Sequence, residues 1–176
     1  SVYASIGMDD TKILVNFGTG SQISAIIKDY VEISDCEVRP YFGSKYLLVG
    51  SALCGGKAYA VLEKFFRSYS KKLGHDESQY EILNELAIEG FHNQSEIKAD
   101  TRFCGTRSNP NATGGYKNLT DENFTASNIV YSTICGMVEE LYEMFTNMHV
   151  DNITSVSLYV VPSQITDKEM VATELS

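Results

Sequence analysis

The sequence predicts a single α/β domain with a mixed sheet and helices packed on it. Three observations lead to that class. Short apolar runs separated by glycine turns fill residues 12–50. Two long stretches of helical period follow, one from about Gly56 to Leu73 and one from Ile129 to Phe145. Residues 155–160 then return to strict alternation, as a strand should.

Each element has its own signal. Residues 12–17 and 21–27 are apolar runs on either side of Gly18-Thr19-Gly20, a composition that turns a hairpin. Residues 37–42 and 45–50 make a second pair around Gly43-Ser44. Ala58, Leu62, Phe65 and Phe66, with Val61 beside them, recur at helical spacing, and Gly74 supplies a C-terminal cap. Tyr80, Leu83, Ala87 and Phe91 mark a second, shorter helix. Residues 100–123 are polar and loop-like. Ile129, Thr133, Ile134, Met137, Val138, Leu141 and Phe145 define the long amphipathic helix, with Thr125 or Ser127 as its cap. Val156, Leu158 and Val160 alternate with Ser155, Ser157 and Tyr159.

Composition narrows the function classes. A chain of 176 residues is long enough for one sizeable core. A net charge of −9, with Lys71-Lys72 as the one adjacent basic pair, opposes a nucleic-acid surface. No apolar stretch is long enough to span a bilayer, so no membrane partner is expected. Residues 1–8 lack the order of a secretory signal, and a cytoplasmic location is the expectation. Cys36, Cys54, Cys104 and Cys135 are widely scattered, with no C-x-x-C pair and no neighbouring histidine. Zinc needs clustered ligands, so reduced, mostly buried thiols are expected and no metal ligand is assigned. The five N-x-[ST] sequons, beginning at Asn93, Asn111, Asn118, Asn123 and Asn152, follow from a chain rich in Asn, Ser and Thr. His75, His92 and His149 each stand alone.

Two glycine segments carry the candidate chemistry. Gly18-Thr19-Gly20 offers backbone N–H groups and one hydroxyl at a single point, and glycine lets a ligand come close. Gly55-Gly56 stands where a strand hands over to a helix, and a helix N-terminus favours an anion. If both face one cleft, their amides should converge on a common anion. The glycines at 55 and 56 also have a purely architectural reading, close packing of helix on sheet.

Gly18-Thr19-Gly20-Ser21-Gln22, Arg39-Pro40-Tyr41, Leu53-Cys54-Gly55-Gly56, Gly105-Thr106-Arg107-Ser108-Asn109-Pro110 and Asn118-Leu119-Thr120 follow one another, and then comes the helix through Gly136-Met137-Val138-Glu139-Glu140-Leu141. In that order the chain resembles the C-terminal domain of the FGGY carbohydrate kinases, and most closely a sedoheptulokinase-like member. The resemblance is strongest over residues 1–150, and 156–176 diverge. It implies an actin-like, ribonuclease H-like ATPase domain, present in part, with ATP and Mg2+ as cofactors and a carbohydrate as substrate. It places Thr19 at the family's phosphate-binding threonine, within Gly18-Thr19-Gly20, and Gly56, beside Gly55, at a glycine bordering the nucleotide. Ala60 stands where the family can carry a glutamine. Gln22 falls where it can face the sugar, and Gly114 is read as turn geometry.

The resemblance also implies missing parts. The family's general base, an aspartate in Gly-Asp-x-Gln, would lie directly before Ser1, so no catalytic residue is assigned within the chain. Asp9 and Asp10 are read as solvated turn residues. The N-terminal kinase domain is the expected partner. Pro162 and Ser163 replace a glycine turn that holds adenine, and residues 167–172 read as a further helix. A non-catalytic nucleotide-binding module and a structural remnant are the other classes this sequence allows. Uncovered interdomain surface should cause self-association, with Ile23 and Tyr59 as candidates for that face.

Overall fold

The computed structural model describes residues 6–151 and 153–160. Four strands, β1 (Lys12–Phe17), β2 (Ser21–Ile27), β3 (Cys36–Pro40) and β4 (Tyr46–Ala52), precede two helices, α1 (Gly55–Lys72) and α2 (Tyr80–Asn93). A ribbon of β5 (Lys98–Asp100) and β6 (Gly115–Lys117), the long α3 (Ala126–Met148) and β7 (Ser155–Val160) follow. The main sheet has the order β3-β4-β2-β1-β7. Its first four strands pair antiparallel, and β7 lies parallel to β1 with Val15 opposite Leu158.

The local reasons are those of the sequence. The second hairpin turns through a 3-10 segment, Phe42–Ser44, where Gly43 has φ +67°. Helix α1 stops at Leu73, and Gly74 follows at φ +94° with its N–H on the Lys71 carbonyl. The Thr125 hydroxyl accepts from the Asn128 N–H at 3.3 Å and so caps α3. Strand β6 lies inside the stretch read as loop and β5 ends at its first residue, and neither is legible in the sequence because three residues are too few for alternation to show.

Alternation along the strands sorts the two faces of the sheet. Ile13, Val15, Phe17, Ile23, Ala25 and Leu48 face α1 and α3 and form the main core with Tyr59, Leu62, Ile134 and Leu141. Leu14, Ile26, Leu47 and Val49 point the other way, with Ile6 and Tyr41 against them. Helices α2 and α3 touch closely at Gly90, where a Cβ would stand 2.3 Å from the Ser127 carbonyl oxygen.

Ile23 and Tyr59, expected on an uncovered face, are 2% and 0% exposed. Period two sets Ile23 beside Ala25 in the core. Tyr59 lies one helical turn from Leu62, stacks on Tyr80, and its hydroxyl donates to Asn84 Oδ1 at 3.0 Å. The uncovered apolar surface lies elsewhere. Val61, Phe65, Leu119 and Phe124 border an apolar groove of about 460 Å³ between α1 and the segment leading into α3.

The thiols also differ in detail from expectation. All four are free, but of them only Cys54 is fully buried. Folding brings Cys54 and Cys104, fifty residues apart, to an Sγ–Sγ distance of 3.2 Å. Pro162, Ser163 and the helix expected over 167–172 lie outside the described residues.

Candidate functional site: the glycine turn and the start of α1

Strand β1 ends at Phe17 and β2 starts at Ser21, so Gly18, Thr19 and Gly20 alone reverse the chain. Strand β4 runs beside β2, with Ala52 opposite Ser21. The chain leaving β4 therefore reaches the turn within two residues, at Cys54-Gly55-Gly56. The Gly56 N–H donates to the Gly18 carbonyl at 2.7 Å, and the Lys57 N–H donates to the Thr19 carbonyl at 3.0 Å. Two of the amides that a helix start leaves unpaired thus bind the turn to α1.

Gly55 makes that contact sterically possible. Its φ is +28°, and a Cβ there would lie 2.5 Å from the Ser21 nitrogen and 2.8 Å from the Gly20 carbonyl carbon. Any side chain would push the helix start away from the turn. Ser21 is fully buried in this junction, and its Oγ has no hydrogen-bond partner among the described residues.

The two glycine segments meet, but the Gly56 amide points at the Gly18 carbonyl instead of at a point shared with a ligand. A trans peptide sets the outward direction, and no peptide among the described residues is cis. In a trans unit the C=O and N–H point opposite ways. With the Gly18 and Thr19 carbonyls directed at α1, the N–H groups of Thr19 and Gly20 are directed away from it, side by side. Thr19 and Gly20 are both exposed. Two adjacent amides directed away from α1, beside one hydroxyl, are the kind of donor set an anion takes, and they make this turn the candidate site.

Gln22 lies on the opposite side of the sheet from α1, in register with Asn16 and Ser51. Its Nε2 donates to Ser51 Oγ at 3.2 Å, and the buried Asn16 Oδ1 has no partner among the described residues. The turn end of this second face is therefore polar, while its far end is the Leu14, Ile26, Leu47 and Val49 cluster.

The acidic turn before β1 is structurally engaged. Asp9 Oδ1 accepts from the Thr11 hydroxyl at 2.7 Å and from its N–H at 3.0 Å, and Asp10 pairs with Lys45 at 2.9 Å. The Thr11 hydroxyl bond, above all, holds the Asp9 carboxyl below the usual range, and the Lys45 bond does the same for Asp10. Both stay ionised and occupied.

The Gly105–Pro110 motif borders a polar cavity of about 230 Å³ together with Ser51, Glu140 and Glu143. Its cations are paired, Arg107 with Glu37 and Arg102 with Asp100. Glu140 accepts from the Thr101 hydroxyl at 3.2 Å, and burial pushes its carboxyl up. Gly114 packs on Phe103, 2.4 Å from where its Cβ would be, so it is a close-approach position. Among the described residues no three His, Cys, Asp or Glu side chains gather to hold a metal ion. No described helix is long and apolar enough to cross a membrane.

No protein-family model matches this sequence, and no curated protein matches it. Solved structures do. A gluconate kinase from Lactobacillus acidophilus superposes with a TM-score of 0.75 at 17% identity over 99% of this chain. A xylulose kinase from Bifidobacterium adolescentis gives 0.72 at 19% over 93%. A glycerol kinase from Plasmodium falciparum with ADP gives 0.71 at 16% over 96%. The chain spans about a third of the length of these neighbours: 35%, 32% and 34%. The chain therefore shares the actin-like fold of the matching third of these kinases, a mixed sheet with packed helices.

Proposed function

We propose that the chain is the nucleotide-holding domain of an FGGY-type carbohydrate kinase, which moves the γ-phosphate of ATP to a sugar hydroxyl. The observation that carries this reading is the junction in which Gly56 and Lys57 bind the carbonyls of Gly18 and Thr19. That bonding directs the Thr19 and Gly20 N–H groups away from α1, on a turn where Thr19 is exposed. In the reading, Thr19 and Gly20 hold phosphate oxygens, Gly18 sets the turn, and Gly55 and Gly56 fasten it to α1.

The residues fit a nucleotide's phosphates in kind: Thr19 and Gly20 are exposed, and the donors they offer are neutral amides and a hydroxyl. Mg2+ carried on those phosphates would supply charge neutralisation there, and no side chain of this chain is assigned to hold it. Gln22, on the polar end of the second face with Asn16 and Ser51, is the sugar-facing candidate. A sedoheptulose-like ketose is the substrate the motif order supports. The base and most sugar contacts come from a second kinase domain, and the setting is cytoplasmic, where ATP is available.

Phosphoryl transfer needs a base beside the attacking hydroxyl as well as positioned phosphates. The 176-residue polypeptide alone, given ATP, Mg2+ and a panel of ketoses and polyols, is expected to form no sugar-dependent ADP above a Thr19→Ala control. Turnover above that control would overturn the assignment of the base to another domain.

The proposal also includes self-association through the groove at Phe65 and Phe124, each 66% exposed. Sedimentation at high micromolar concentration should show species larger than a monomer, and Phe65→Lys should reduce them. A clean wild-type monomer would contradict this.

A further inference from the structure

Cys54 and Cys104 are held face to face by elements with little freedom. Cys54 is the residue before α1, 1% exposed, and its carbonyl accepts the Ala58 N–H at 3.1 Å. Cys104 is the third residue of a tight turn in which the Gly105 N–H donates to the Arg102 carbonyl at 3.0 Å. That turn cannot slide, because Gly105 has φ +72° and a Cβ there would lie 2.4 Å from the Pro110 carbonyl oxygen. The two sulfurs are 3.2 Å apart and unbonded. A disulfide is about 2.0 Å long, so an approach of roughly 1 Å makes the bond.

We propose that Cys54 and Cys104 are a reversible oxidative modification site, closed to an intramolecular disulfide by a peroxide-class oxidant. Cys104 is only partly buried and is the sulfur that an oxidant in solvent reaches. It loses its proton, attacks a peroxide oxygen and becomes a sulfenic acid as the O–O bond breaks. The sulfur of Cys54 then attacks the Cys104 sulfur and displaces hydroxide, which takes the Cys54 proton as water. Two thiols and one hydrogen peroxide give one disulfide and two waters, and added dithiol reverses the step. Burial and the contact with Cys104 push the Cys54 thiol up to about 12, so in the reduced protein it is held as the thiol. The bond staples the Arg102–Gly105 turn to the residue preceding Gly55. It stands on the two sulfur positions alone and does not depend on nucleotide binding.

The test uses the reduced 176-residue chain, treated with hydrogen peroxide, alkylated, digested and mapped by mass spectrometry. A peptide joining Cys54 to Cys104 is expected, with titratable thiols in denaturant falling from four to two and returning to four with dithiothreitol. Cys104→Ser should abolish the linked peptide, and Cys36→Ser should leave it intact. The oxidised wild type should melt about 5 °C or more above the reduced form, because the cross-link restricts the unfolded chain. Recovery of Cys54 and Cys104 as separate peptides, or a bond from either to Cys36 or Cys135, would overturn the proposal. A melting point lowered by oxidation would overturn the staple.

Discussion

Replacing Gly55 by alanine should lower the melting temperature by roughly 5–12 °C, the effect of losing about 2–4 kcal/mol in a chain of this size. The added methyl would meet backbone, not a yielding side-chain tip: the Ser21 nitrogen at 2.5 Å and the Gly20 carbonyl carbon at 2.8 Å. The φ of +28° adds strain of its own for any residue with a Cβ. Relief requires the start of α1 to retreat from the turn, and retreat breaks the bonds from Gly56 and Lys57 to the Gly18 and Thr19 carbonyls. The turn then loses the restraint that aims its amides outward. Gly115→Ala is the matching control, because nothing lies within 4 Å of its added Cβ and its φ is ordinary. Differential scanning calorimetry of both variants checks the claim. A Gly55→Ala protein melting with the Gly115→Ala control would contradict the proposed tightness of the junction.

Much of this architecture is legible in the residues. The run from Lys12 to Ile27, broken only by Gly18-Thr19-Gly20, sets the bounds of β1 and β2 because apolar period and turn chemistry agree there. The same agreement finds the three helices and β7. What stayed hidden depends on direction or on distance in sequence. Glycines at 55 and 56 announce a close approach but not which way the Gly56 amide points, since the position of the Gly18 carbonyl decides that. The pattern around Ile23 and Tyr59 shows that they are apolar, and only the placement of α1 and α3 shows that they are covered. The β5–β6 ribbon is too short to have a period. The Cys54–Cys104 pair bridges fifty residues, and nothing local to either cysteine reports the other. The candidate site is legible as two segments, while the directions of its N–H groups depend on how the peptide planes are oriented.

Thr19→Val should weaken nucleotide binding by about 10-fold or more while leaving stability unchanged. Valine keeps the branched shape and removes only the hydroxyl. A hydrogen bond to a charged phosphate oxygen contributes about 1.5–3 kcal/mol, which corresponds to roughly 10- to 100-fold in affinity. Thr19 is exposed on the turn, so folding does not depend on it. The most direct measurement is an amide-resolved NMR titration of the 176-residue chain with ADP, repeated on Thr19→Val. Saturable shifts of the Thr19 and Gly20 amide resonances are expected in the wild type, and in the variant a dissociation constant about 10-fold higher or more. Shifts that leave these two amides unmoved, or equal affinity in the two proteins, would contradict it.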